Sequence, residues 1–486
     1  MTKNKNFYQS SHLLSAEELE QINIFSLKIL AEIGVDIEDE VLEAKLVKNG
    51  CQLKNGRLIF PGQYIEEVIE RQIEFQETNV NPALRFKNPL SGAEKRLAAG
   101  KLYSQPFGTV ARILDLDSFR PRSVREEDLL DLIQLQNTLK NIDFTGASVI
   151  PGDYPAKIRE LLMVEKALRY SSKVYGGIAV SRSSEVDYII ELYRIVQNSQ
   201  PEPIAGLGIS PESPLSYPKE ITDIMEKVAR AGIPIKILVA PIAGLTSPLT
   251  IAGSLAQLNA SMLAFMAILA ITGSQTLVLF CSRLSFPNMR KGYSIWGLPE
   301  IGLASASAVQ LASYYNLPSI VYGPSTTSCN IDVQAGYEKA INALLPALAG
   351  ANVLSGAGSL ASNTLASKVQ LVIDNEIISL VKKIVKNYKA NPETLALEVI
   401  KEGIEEGNFI ANSHTVKHLR AGEIYHSDLG FASFWHEWEN EGFPQLADKA
   451  KEKIKDILQV KAEQLLSAEQ DKAFKKVLSQ AEKNLL

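Results

Sequence analysis

Residues 235–240 read IKILVA and run straight into Pro241-Ile242-Ala243-Gly244. Three later stretches repeat that design. Residues 276–281 (TLVLFC) precede Ser282-Arg283, 318–322 (PSIVY) precede Gly323-Pro324-Ser325-Thr326, and 351–355 (ANVLS) precede Gly356-Ala357-Gly358. Each run is short and rich in Val, Ile and Leu. Strands buried on both faces of a parallel sheet have this composition. The glycines, prolines and hydroxyls that follow suit an open mouth better than a core. Long small-residue helical patterns separate the runs. Repeated often enough, the unit closes into a β/α barrel whose active site lies at the strand C-termini.

Working outward, eight strands are expected, at 99–104, 143–150, 173–180, 203–209, 235–240, 276–281, 318–322 and 351–355. Helical patterns at 126–140, 156–170, 185–197, 218–231, 249–272, 299–315, 334–349 and 368–385 alternate with them. A hairpin near 111–116, turning at Asp117-Ser118, interrupts the first repeat. The competing architecture is an open doubly wound sheet. No GxGxxG turn follows the first strand, so the fold class expected is α/β, a TIM (β/α)8 barrel with helical N-terminal and C-terminal extensions. The domain division is 1–95 for a helical N-terminal extension, 96–388 for the barrel and 389–486 for a helical C-terminal region. The first helix is capped by Ser15 ahead of Glu17 and Glu18 and ends at Gly34; others are expected at 38–49 and 61–72. The Lys/Glu-rich stretch 447–486 is read as an exposed terminal helix pair.

Composition narrows the function classes. The chain has 486 residues, 46% hydrophobic and 22% charged, as in an ordinary globular protein. A net charge of -5 without a basic cluster argues against nucleic-acid binding. The polar start, MTKNKNFYQSSHLLS, has no apolar signal-peptide core. The apolar pattern at 249–271 is broken by Gly253, Ser254, Gln257, Asn259 and Ser261, which favours a buried barrel helix over a membrane span. Cys51, Cys281 and Cys329 make no paired pattern, so a reducing cytoplasm is expected.

The expected mouth carries the candidate chemistry. Tyr103, Gln105 and Phe107 follow the first strand, Pro151, Asp153 and Tyr154 the second, and Ser210 and Glu212 the fourth. Arg283, Phe286, Arg290, Lys291, Tyr293 and Trp296 follow the sixth, and Tyr322, Ser325, Thr326 and Cys329 the seventh. Aromatic faces attract a quaternary ammonium, which cannot hydrogen-bond. A guanidinium suits a carboxylate. Together they point to a zwitterion with a methylated nitrogen. The substrate-binding set expected is Tyr103, Phe107, Arg290, Trp296, Tyr322, Ser325 and Thr326, with Arg290 as the carboxylate anchor. Half of the aromatics could equally pack beneath the loops. No catalytic residue is identified. His12, His414, His418, His426 and His436 all lie outside the expected barrel. His414 and His418 have zinc-compatible i,i+4 spacing but no assured third ligand, so no metal site is expected. No serine elbow or Walker A loop appears, and Lys173 is the only lysine near an expected strand end. A rich pocket without an acid–base set points to a reactive group brought by another molecule.

Several longer motifs now resemble one family. They are residues 241–253 (PIAGLTSPLTIAG), Gly297-Leu298-Pro299-Glu300, residues 332–339 (DVQAGYEK), Leu348-Ala349-Gly350-Ala351-Asn352 with Gly356-Ala357-Gly358, residues 27–35 (LKILAEIGV), Pro151-Gly152-Asp153 and His414-Thr415. In this order they resemble the trimethylamine methyltransferase superfamily over roughly residues 10–440. The resemblance implies a TIM-barrel methyltransferase that passes a methyl group to the Co(I) corrinoid (cobalamin) of a partner corrinoid protein. Trimethylamine-specific members carry pyrrolysine. This chain has only standard residues and resembles the branch acting on quaternary amines such as glycine betaine, proline betaine and carnitine. Substrate choice is expected on the loop 325–330. A betaine-binding sensor and a barrel lyase stay open as alternatives. The small-residue run 304–308 (ASASA) permits close packing, which leaves a homo-oligomer open without making the oligomeric state legible; neither nucleic acid nor membrane is expected as a partner.

Overall fold

Eight parallel segments form the centre of the protein. They are β1 (Tyr103–Pro106), β2 (Phe144–Thr145), β3 (Val174–Tyr175), β4 (Leu207–Ile209), β5 (Ile235–Val239), β6 (Val278–Ser282), β7 (Ser319–Tyr322) and β8 (Val353–Ala357). Each precedes a helix: α1 (Glu126–Thr138), α2 (Arg159–Tyr170), α3 (Ser183–Gln197), α4 (Lys219–Arg230), α5 (Ile251–Ile271), α6 (Pro299–Tyr314), α7 (Val333–Leu348) and α8 (Lys368–Lys386). This computed structural model describes residues 13–80, 84–272 and 275–486. His12 and the polar start of the chain lie outside the described residues.

Six segments make one parallel sheet in the order β4-β5-β6-β7-β8-β1, and β2 pairs in parallel with β3. Further hydrogen bonds continue the ladder from each edge. The Asp143 amide donates to the Ser104 carbonyl at 2.9 Å, beyond β1, and the Gly208 amide donates to Ile178 at 2.8 Å, joining β3 to β4. The expected runs 143–150 and 173–180 shorten to two-residue strands because Gly146, Gly176 and Gly177 interrupt them. The first strand begins at Tyr103, four residues after the expected start. A turn at Ala98–Lys101 with Gly100 at φ 72° occupies the gap.

The sheet's inner face is filled from below. An antiparallel hairpin, Leu84–Lys87 with Glu94–Leu97, inserts Leu84, Phe86 and Leu97 beneath Phe144, Val174, Leu238, Leu279, Cys281, Ile320 and Val353. That hairpin, and a second at Gln52–Lys54 and Arg57–Ile59, make the N-terminal region less purely helical than expected. Three helices are present there: Ala16–Glu32, Glu40–Lys48 and Gly62–Val80. The first and third cover α5, which explains why α5 is apolar on every side. Ser26 donates to the Ala256 carbonyl at 3.0 Å, and Asn259 donates to Ser26 and to the Tyr315 hydroxyl at 3.0 and 2.7 Å. Among the described residues α5 is the one helix long and apolar enough to cross a membrane, and it is buried in the protein.

Two expectations need correction. The terminal pair, Leu446–Leu458 and Ala468–Leu485, is docked and not free. The first lies on α8 and α1, the second on α3 and α2. Phe474, Val477 and Ala481 form a buried stripe at helical spacing, and Asp471 pairs with Arg169 at 2.5 Å. The run 304–308 is buried within α6 against α7, so its close packing is spent inside this chain. Between the docked pair and α8, the segment 387–445 exposes many large apolar side chains, among them Leu397, Ile404, Ile410, Phe434 and Trp435.

Candidate active site

The C-terminal ends of the strands surround a cavity of about 80 Å³. The residues lining it include Gln105, Phe107, Thr145, Lys236, Leu238, Arg283 and Ser355, together with the glycine-rich segments that follow β2 and β3. Glycines hollow it out. A Cβ on Gly176 would lie 3.2 Å from the Gln105 side-chain oxygen, and one on Gly208 would lie 2.7 Å from Leu238. Gly177 sits at φ 80°, and its Cβ would land 1.8 Å from the Gly206 carbonyl, so no other residue fits.

Arg283 stands at the rim. Its amide extends β6 by donating to Val239 at 2.9 Å, which turns the side chain inward. The guanidinium lies 4.4 Å over the Tyr322 ring, and Tyr322 meets Trp296 with centroids 4.2 Å apart. The three side chains are in contact in that order, with the two rings tilted by 49°. Tyr322 thus holds the arginine in place and does not offer that face to a ligand cation. Arg283 Nη1 is buried and has no hydrogen-bond partner.

Arg290 is elsewhere. The expected long loop folds as a hairpin, Phe286–Asn288 with Tyr293–Ile295, and Arg290-Lys291-Gly292 is its exposed tip. Only the Arg290 backbone is engaged, donating to Asn288 Oδ1 at 3.2 Å. The fixed charge at the cavity is therefore Arg283. Tyr103 also moves, because the strand starts there. It lies at the opposite end of β1 from the mouth, edge-on to Phe144 at 5.9 Å, with Lys95 5.1 Å from its ring. Phe107 lines the cavity as expected from its place after β1.

The loop after β7 is a braced wall. Ser325 is fully buried with its hydroxyl unpartnered. Thr326 Oγ1 donates to Glu338 Oε2 at 2.5 Å, and the Thr327 amide donates to the same oxygen at 2.8 Å. The Gly297 amide then donates to Thr327 Oγ1 at 2.8 Å, fixing the segment that carries Trp296. Below them Lys339 pairs with Asp374 at 2.8 Å, both fully buried. Lys339 also donates to the Pro324 carbonyl at 2.9 Å, while Asp374 accepts from the Gly358 amide at 2.7 Å and from Gln370 at 2.8 Å. The charged residues of the motif at 332–339 thus hold the β7 and β8 loops together and do not face the cavity.

Lys236 is the residue that sequence reasoning passed over. It sits inside β5, is 8% exposed, and donates to the Gly176 carbonyl. Burial pushes its amine down to about 8; Arg283 pushes the same way and Cys281 opposes. The signal was present as one lysine within an apolar run expected to be buried on both faces. Lys173, the earlier lysine candidate, donates to the carbonyls of Gln136, Leu139 and Ile142 at 2.7, 2.6 and 2.6 Å, so it caps the end of α1. Burial pushes the Cys281 thiol up to about 11, so it stays protonated. His414 and His418 lie with ring centroids 4.1 Å apart on the C-terminal segment. Among the described residues no group of three His, Cys, Asp or Glu side chains is arranged to hold a metal.

Parallel strands with helical crossovers, opening at their C-terminal ends on a glycine-hollowed pocket that carries two cations, define an α/β enzyme scaffold with a small-molecule site. Residues 2–485 match the trimethylamine methyltransferase (MTTB) family, and the chain belongs to that family of methyltransferases. It is 30% identical to trimethylamine methyltransferase MttB1 of Methanosarcina mazei, over 97% of this chain and 95% of the relative. It is 27% identical to a glycine betaine methyltransferase of Desulfitobacterium hafniense, over 88% and 89%. The crystal structure of the hydroxylamine MtmB complex shares the fold, with a TM-score of 0.50, 12% identity, and coverage of 92% of this chain and 89% of that one.

Proposed function

We propose that the protein transfers a methyl group from a betaine-type quaternary amine to the Co(I) corrinoid of a partner protein, using a closed (β/α)8 barrel. The observation that carries the reading is the cavity's charge. Arg283 and Lys236 line it, and no Asp or Glu does among the described residues. A simple methylammonium cation is repelled by such a site, whereas the carboxylate of a betaine is attracted. The likeness to a glycine betaine methyltransferase supports the same substrate class. Barrel closure is supported by the hydrogen bonds that link β1 to β2 and β3 to β4. Free cysteines at 51, 281 and 329 suit a reducing cytoplasm.

The corrinoid is tested against the lining. The buried, protonated Cys281 is a poor methyl acceptor, which fits an acceptor arriving from outside. Gly108 lines the cavity with open space where a side chain would stand, which fits a bulky planar group at the mouth. When docked, the corrinoid supplies a Co(I) nucleophile. The protein's own residues orient the substrate: Arg283 holds the carboxylate, Phe107 faces the methylated nitrogen, and Leu238 packs against the spacer between them. No proton need be delivered, because the departing amine leaves neutral. This accounts for a site without an acid–base pair.

A calorimetric panel tests the substrate class. Glycine betaine, proline betaine or carnitine is expected to bind, and trimethylamine and choline are expected to bind at least tenfold more weakly. Tighter binding of trimethylamine would overturn the reading.

A further inference from the structure

Resting on the betaine reading, we propose that Lys236 at the cavity floor and Arg283, reaching down from the rim, together form a carboxylate subsite, so that the substrate enters carboxylate first and presents its N-methyl groups to the mouth. Three observations carry this. Lys236 and Gln105 line both the mouth cavity and a second, much smaller cavity beneath it, bounded by Phe86, Leu97 and Phe144. They are therefore the partition between the two, and Arg283 stands above them at the rim.

The second observation is unmet bonding capacity. An ammonium has three donors, and the protein supplies Lys236 with one acceptor, the Gly176 carbonyl. Arg283 Nη1 is likewise buried without a partner. Burying a cation costs heavily unless it is paired, yet no carboxylate lines the cavity. A ligand carboxylate reaching both groups satisfies them together.

The third observation is room. Gly177 and Gly206 flank the lysine and carry no side chain to crowd it; a Cβ on Gly177 would lie 3.5 Å from Nζ. Leu238, one strand layer above Lys236, then meets the spacer of the substrate. This polarity has a consequence for selectivity. A betaine is measured by the distance from floor to rim, and choline or trimethylamine has no group to place on the floor.

The subsite also predicts a proton signature. The titratable and charged groups facing Lys236 are Cys281 and Arg283 on β6 and the Tyr175 phenol on β3; burial pushes that phenol strongly upward, so it stays neutral. The free amine titrates at about 8. A bound carboxylate raises that value, so binding above pH 8 draws a proton from solvent and binding at pH 6.5 does not.

Calorimetry of glycine betaine with the full chain at pH 6.5 and 8.5, in buffers of different ionisation enthalpy, reads this directly. Wild-type protein is expected to take up protons only at pH 8.5. Lys236→Met is expected to abolish the uptake and weaken betaine binding by about tenfold to a hundredfold, while choline, relieved of one repelling charge, binds no more weakly than to the wild type. Uptake by the wild type needs no variant, so it stands even where Lys236→Met fails to fold. Tight betaine binding with no uptake at pH 8.5, or equal affinity in Lys236→Met, would overturn the subsite and leave the methyltransferase reading intact. Failure of every betaine to bind the wild type would instead overturn the reading on which the subsite rests.

Discussion

Arg283→Ala is expected to raise the KM for a betaine by about tenfold to a hundredfold, whereas Arg290→Ala changes it less than about twofold. The difference follows from placement. Arg283 is inward, stacked on Tyr322, and has a buried nitrogen free for a ligand. Arg290 is at an exposed hairpin tip with no side-chain partner. Charge alone does not set the effect. Arg283→Lys keeps the charge but loses the planar fork and the ring stacking, so it is expected to recover little affinity. Steady-state kinetics of the three variants decides the matter. A large loss in Arg290→Ala with a normal Arg283→Ala would move the anchor to the hairpin.

Asp374→Ala is expected to cost about 3–5 kcal/mol of stability, measured by urea unfolding. The cost is not the value of one ion pair. Removing Asp374 leaves the fully buried Lys339 ammonium with the Pro324 carbonyl alone, and frees the Gly358 amide and Gln370 from their acceptor. The paired change Lys339→Met with Asp374→Leu is expected to lose less, because no charge is stranded. The β7 and β8 loops loosen in the single variant, so betaine affinity falls with stability. An Asp374→Ala protein as stable as the wild type would show that the pair does not brace the site.

The strand pattern was legible because burial on both faces forces an apolar run. Every expected strand has its counterpart, with β5, β6, β7 and β8 within two residues of expectation at each end. Errors arose where local backbone geometry overrode composition. The turn at Gly100 delayed β1 and carried Tyr103 away from the mouth, and the glycines that hollow the cavity cut β2 and β3 short. Arg283 and Arg290 could not be ranked from sequence. Only the hairpin between 286 and 295, a tertiary choice, carries one inward and the other into solvent. The docking of the C-terminal helices was hidden for a related reason. Their charged composition masked the short Phe474–Val477–Ala481 stripe. Lys236 was visible but was read as part of a strand. Its meaning needed the observation that its neighbours, Gly177 after β3 and Gly206 before β4, are glycines.

The central claim is methyl transfer from a betaine to an external corrinoid. Its most direct test mixes the protein anaerobically with Co(I) cobalamin and methyl-labelled glycine betaine, proline betaine, carnitine or trimethylamine, and follows labelled methylcobalamin. Label is predicted to appear from at least one betaine, with stoichiometric loss of one methyl from that substrate, and not from trimethylamine. Label from trimethylamine and from none of the betaines would contradict the account.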